Sequence, residues 1–214
     1  MTEDFFSTFR RQIIGINQTH LFPHGEKKIL YADWTASGRL YQPIEDYMAR
    51  VVGPYVANTH TETALTGRMM THLYSEAQQI IKKHVHATSD DVLLFCGFGQ
   101  TSAINKFQRI LNLKIPGLMK SWVSPKSLEK PLVIITHMEH HSNQITWQEC
   151  FCDVEIIARN NEGLPDLTHL QNILKANKHR KYKFGSFTAC SNVTGIITPY
   201  HKMAEIMHEH GGYC

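Results

Sequence analysis

The chain has 214 residues, enough for one large or two small domains with a sizeable core. With 42% hydrophobic and 19% charged residues and a formal net charge of +3, it has an ordinary globular composition and lacks the basic excess that would argue for nucleic acid. No long apolar run follows the acidic Met1-Thr2-Glu3-Asp4, which argues against a secretory leader and a membrane span and makes the cytoplasm the expected compartment.

Along the chain, Phe5, Phe6, Phe9, Ile13 and Ile14 recur at helical spacing and predict an amphipathic helix over 4–16. Ile29-Leu30-Tyr31 reads as a short strand. Pro43 at a first helical position opens a helix with Ile44, Tyr47, Met48, Val51 and Val52 on one face. A longer helix is predicted over about 66–86, with Leu73, Ala77, Ile80, Ile81, His84 and Val85 inward. Val92 to Cys96 reads as a buried strand ended by Gly97-Phe98-Gly99, with a helix from Thr101 to Leu113 behind it. Residues 114–130 hold four lysines, prolines and serines without a period, as in a surface loop or an ill-ordered insertion.

Leu132 to Thr136 is the next strand, and a helix is predicted from about Asn143 to Phe151. Val154 to Ile157 is a third strand, and Asn160-Asn161-Glu162-Gly163 is a turn. Asp166 caps a helix to about Ala176, and Lys183 to Cys190 is a further strand. Pro199 opens a last helix through Met203, Ile206 and Met207 that stops at Gly211-Gly212. This alternation predicts an α/β fold, a mainly parallel sheet with helices on both faces.

Three segments at strand ends carry chemistry. Thr136-His137-Met138-Glu139-His140-His141-Ser142-Asn143 lies where open α/β sheets bind ligands. Its histidines fit neither H-E-x-x-H nor H-x-x-E-H, so a metal is not expected, and a plain polar loop is the alternative. Gly97 to Asn105 joins a strand to a helix, so free N–H groups near Thr101 and Ser102 suit a phosphate. A glycine turn with Thr101 or Ser102 as the N-cap explains the same residues. In Ser191-Asn192-Val193-Thr194-Gly195, Asn192 presents its amide to a ligand or closes an Asx-turn, and locally the turn is favoured. All three segments are expected on one crevice. The five cysteines form no C-x-x-C pair and are expected to be mostly buried and reduced, and the 14 histidines are scattered. The lysine runs near 114–130 and 178–183 are short and mixed, as on a solvated face.

Taken in order, Asp33-Trp34-Thr35-Ala36-Ser37, Tyr55-Val56-Ala57-Asn58-Thr59-His60, Gly99 to Asn105, Glu139 to Asn143 with Trp147-Gln148, and Ser191 to Gly195 resemble the class V aminotransferases. These are pyridoxal 5'-phosphate (PLP) enzymes of fold type I, and the nearest branch looks like the cysteine desulfurases and selenocysteine lyases. The resemblance implies that Thr101 and the N–H of Gln100 hold the cofactor phosphate. His140 would stack on the ring and assist proton transfers, and Asn192 would bond the phenolic oxygen. Ala36, Asn58 and His60 would line the substrate side. The family's ring-pairing aspartate and Schiff-base lysine would lie beyond Cys214. Residues 1–28 are thus expected to be an N-terminal helical segment, and 29–214 the first portion of a large domain. The expected function is elimination of sulfur or selenium from a small amino acid by a homodimeric parent, with this chain inactive alone. Cys150, Cys152 and Cys190 do not match the family's sulfur-accepting cysteine. The alternative is a non-catalytic binding protein that retains the half-fold.

Overall fold

The structure, a computed structural model, describes residues 2–122 and 130–214. It contains two compact units, residues 1–94 and 95–214. Part of the expected 114–130 loop, residues 123–129, lies outside the described residues.

In the first unit, α1 (Thr2–Arg11) carries Glu3 and Asp4 in its first turn and Arg10 and Arg11 in its last, which suits the helix dipole. It stops short of the predicted residue 16 because the chain beyond it pairs elsewhere. Ile14 N–H donates to Leu40 O, and Gln42 N–H donates to Gln12 O. A hairpin of β1 (Thr19–Phe22) and β2 (Gly25–Lys28) follows, closed through Pro23-His24 with Gly25 at φ 103°. The strand expected at Ile29–Tyr31 does not form; the pairing lies a few residues earlier, where both strands are exposed. Helix α2 (Gln42–Tyr47) starts with Pro43, as expected, and runs into a π turn, Met48–Val52, and a 3-10 turn, Gly53–Tyr55. Of its predicted inward face only Val52 is buried. Helix α3 (Leu65–His84) matches the prediction closely, but Ile80, Ile81 and Val85 are exposed and Gly67 is its one buried residue.

The strand predicted at Val92–Cys96 is absent, and Val92, Leu94 and Phe95 are exposed. A helix closes its hydrogen bonds within itself, whereas a strand needs a neighbour. Leu93 O instead accepts the Gln78 side-chain amide at 3.4 Å.

The second unit contains α4 (Gly99–Ile110), β3 (Leu132–Thr136), α5 (His141–Gln148), β4 (Asp153–Ile157), α6 (Leu167–Ala176), β5 (Lys183–Gly185) and α7 (Tyr200–Glu209). The strands form a parallel sheet in the order β4-β3-β5, with Val133 opposite Val154 on one side and Phe184 on the other. All five residues of β3 are buried, as a central strand covered on both faces requires. Successive side chains point to opposite faces. Leu132 and Ile134 join Leu170, Ile173 and Leu174 of α6 and Met203, Ile206 and Met207 of α7. Val133 and Ile135 join Trp147 of α5, Cys150, Cys152 and Leu113, with Ile104 of α4 against them. Asp166 caps α6, its Oδ1 accepting from Thr168 and His169 N–H.

Strand β5 is shorter than the predicted 183–190. Past Ser186, whose N–H still donates to Ile134 O, the chain leaves the sheet, and Cys190 bridges Ile197 instead. On the outer side of β5, Tyr213 pairs in parallel with Phe184, Gly185 N–H donating to Tyr213 O at 2.7 Å.

Candidate functional site

The carboxyl end of β3 is built around Glu139. One carboxylate oxygen accepts from Thr136 N–H (3.1 Å), Thr136 Oγ1 (2.6 Å) and Thr188 N–H (2.9 Å). The other accepts from Asn143 Nδ2 at 2.9 Å. Thr188 belongs to the loop after β5, so one carboxylate fastens the loops that follow two adjacent strands. Buried Asn143 continues the network, with its Nδ2 also donating to Ser186 O and its Oδ1 accepting from Trp147 Nε1 and Ser186 Oγ.

His140, exposed at this edge, is the N-cap of α5. Its Nδ1 accepts from Ser142 N–H at 3.1 Å and lies 2.8 Å from Ser142 Oγ. His137 Nε2 lies 3.0 Å from Gly163 O, and His141 is exposed. Among the described residues no group of three His, Cys, Asp or Glu side chains is placed to hold a metal ion.

Gln100 and Thr101 lie exposed on the first turn of α4. Neither Thr101 nor Ser102 is the N-cap: that position is Phe98, which offers no side-chain cap, and Ser102 Oγ accepts from Phe98 N–H instead. The first N–H groups of a helix have no partner inside it, so this end is left for solvent or a ligand, unlike the capped ends of α5 and α6. Gly97 (φ 53°) has Ser102 so close that a Cβ would come within 2.6 Å of its side chain, while Gly99 (φ 64°) faces open space. Helix α4 lies beside α5, with Gln108 Nε2 donating to Thr146 Oγ1 at 3.1 Å and Phe107 edge-on to Trp147 at 6.4 Å.

Asn192 is half-buried in the loop after β5. The turn is closed by its neighbour: Ser191 Oγ accepts from Val193 and Thr194 N–H, and Ser191 O from Gly195 N–H. The Asx-turn expected of Asn192 is therefore a serine turn. Through Thr188 and Glu139, the loops carrying Asn192 and His140 are brought side by side.

The other three candidates belong to the first unit. Ala36 is exposed in a turn whose N–H groups, from Ala36 and Ser37, donate to Asp33 O. Asn58 and His60 sit together against the start of α3. His60, at φ 65°, donates its N–H to Thr71 Oγ1 at 2.9 Å and lies edge-on to Tyr74. Only glycine fits at Gly67, since a Cβ there would come within 2.2 Å of Thr61.

With this geometry in view, the family relationship follows. The sequence model for Aminotransferase class-V matches residues 30–214. The chain belongs to that family. Similar proteins include a probable cysteine desulfurase of Halalkalibacterium halodurans, 27% identical over 86% of this chain and 42% of that protein. A cysteine desulfurase of Synechococcus elongatus is 25% identical, with 86% of this chain and 28% of that protein covered. The fold is similar to the apo cysteine desulfurase of Thermococcus onnurineus NA1, with a TM-score of 0.66 at 21% identity over 96% of this chain and 45% of that one. The chain thus spans less than half the length of the curated relatives it matches.

Within this class V chain, Glu139, Asn143, Ser142 and Ser191 organise the site; they lie in segments that the sequence pointed to, but none was given a role there. Asn143 and Trp147 are spaced i, i+4 on one face of α5, a pattern that signals linked side chains, and Glu139 lies four residues earlier, just before the helix. The cysteines are all free, but only Cys150 and Cys152 are buried; Cys190 and Cys214 are exposed and Cys96 is intermediate, against the expectation of mostly buried thiols. Burial, with the neighbouring Cys150 next in weight, pushes the Cys152 thiol up to about 12, so it packs as an inert hydrophobe. Among the described residues no helix is long and apolar enough to cross a membrane.

Proposed function

We propose that this chain is part of a PLP-dependent enzyme of the cysteine desulfurase type, which eliminates sulfur or selenium from a small amino acid. The single observation that carries the reading is the Glu139 clamp: it holds the loops of His140 and Asn192 together at the carboxyl edge of a parallel sheet, where α/β proteins bind ligands.

The residues present fit the cofactor. The uncapped first turn of α4, opened by Gly97 and Gly99, is a cradle for a phosphate, with the Thr101 hydroxyl and the Gln100 N–H as its holders. His140 offers an exposed flat ring, held through Ser142, to lie on the pyridine face. Asn192 supplies an amide for the phenolic oxygen. PLP, when bound, supplies the electron sink for breaking bonds next to the amino-bearing carbon. The same reading assigns Ala36, Asn58 and His60 to substrate binding. It also makes the whole protein a cytoplasmic homodimer with no nucleic-acid or membrane partner.

Equilibrium dialysis of the chain against PLP tests the cradle. Thr101→Ala is expected to weaken binding about tenfold, the weight of a hydrogen bond to a charged group. Wild-type and variant chains with equal uptake would reject the phosphate assignment. Sulfide release from cysteine, and selenide release from selenocysteine, by the full-length gene product separates the two substrates; release of neither would reject the reaction.

A further inference from the structure

We propose that Ser142 is a positioning residue that holds the proton of neutral His140 on Nε2, so that His140 meets its ligand as a hydrogen-bond donor. The proposal rests on the assignment of His140 to the cofactor site.

The geometry permits one arrangement that satisfies every group. Ser142 N–H lies 3.1 Å from His140 Nδ1 and can only donate, so Nδ1 must keep its lone pair and the proton must sit on Nε2. Ser142 Oγ, 2.8 Å away, turns its own hydrogen toward the same nitrogen. The opposite tautomer would set Nδ1–H against Ser142 N–H and strip the first turn of α5 of its cap. Glu139, the nearest carboxylate in sequence, does not orient the ring, because its two oxygens accept from Thr136, Asn143 and Thr188. His141 lies with its ring centre 6.5 Å away and tilted by 44°, too far for a hydrogen bond between the rings.

The consequence is chemical. Nε2, already protonated, cannot take up a proton, and uptake at Nδ1 requires breaking the bond from Ser142 N–H. While α5 is capped, His140 lays a face on a flat ring and donates from Nε2 to an oxygen or nitrogen lone pair. Proton abstraction then falls to another group, which narrows the proton-transfer role that the family resemblance implies for His140.

Imidazole 15N NMR of the 214-residue chain without cofactor reads the tautomer directly, with His140→Gln assigning the signals and exposed His141 as an internal reference. His140 should be almost wholly Nε2–H, while His141 shows the mixture of a free side chain. Ser142→Ala should raise the Nδ1–H share about fivefold, the weight of one ordinary hydrogen bond, and Ser142→Thr should restore it. A mixture at His140 in the wild type would overturn the proposal, and a population unmoved by Ser142→Ala, which keeps the backbone N–H, would overturn the part given to the hydroxyl. PLP binding by the same proteins is read separately by dialysis. Binding with a mixed His140 tautomer sinks this proposal alone, whereas a fixed tautomer without binding sinks the cofactor reading and with it the role given to the donor.

Discussion

The two units use similar sequence signals to different ends. In residues 95–214, alternate β3 side chains enter two separate apolar clusters, and Leu170, Leu174, Met203 and Met207 are fully buried. In residues 2–94, helices of good amphipathic pattern leave Ile44, Tyr47, Ile80 and Val85 exposed, and only Val52 and Gly67 are buried. An apolar stripe therefore shows that a helix has a face to cover, not that the face is covered.

The strongest way to break this contrast is a pair of truncations. Trp147→Ala should cost about 3–5 kcal/mol, since it empties a core position and removes one of the two donors to Asn143 Oδ1. Ile80→Ala should cost less than about 0.5 kcal/mol, as at other exposed sites. Urea unfolding followed by circular dichroism measures both, and similar costs would mean that the first unit is as packed as the second.

Glu139→Ala comes next. It leaves Thr136 and Thr188 N–H without their acceptor and should cost about 2 kcal/mol. Faster hydrogen exchange at those two amides would localise the loss. Asp166→Ala removes the cap of α6 and should cost about 1 kcal/mol by the same unfolding measurement.

The smallest effect is on the acid limb of stability. Burial raises the Asp153 carboxyl, but hydrogen bonds and charge from Lys130 and Arg180 outweigh it and hold the group below its usual range. A depressed carboxylate contributes stability above its unfolded pKa and loses that contribution as pH falls through the folded one. Asp153→Asn should flatten that part of the stability–pH curve and leave its shape above pH 6 or so unchanged. The pair is partly exposed, so the flattening should be slight and smaller still in high salt.

Much of the second unit was legible from residue pattern. Leu132–Thr136 is a run that only a two-sided sheet can bury, and Asp166 is a cap whose side chain meets N–H groups two and three residues on. The first unit was less so, because the hairpin at Thr19–Lys28 is exposed and has no buried face to mark it, and Val92–Cys96 has the composition of a strand without a paired neighbour. At the site, the segments around Thr101, His140 and Asn192 were visible as polar clusters, the last two after strands that form. What joins the last two was not, since the bond from Thr188 N–H to Glu139 spans 49 positions and leaves no local signal.

The central claim is that the loops after β3 and β5 and the first turn of α4 form one PLP-binding site. Titration of the 15N-labelled chain with PLP, followed by backbone amide shifts, tests it most directly. The account predicts saturable, concerted changes at Gln100, Thr101, Ser142 and Asn192, with Thr101→Ala weakening all of them together. Changes scattered over surface lysines, with those four amides still, would contradict it.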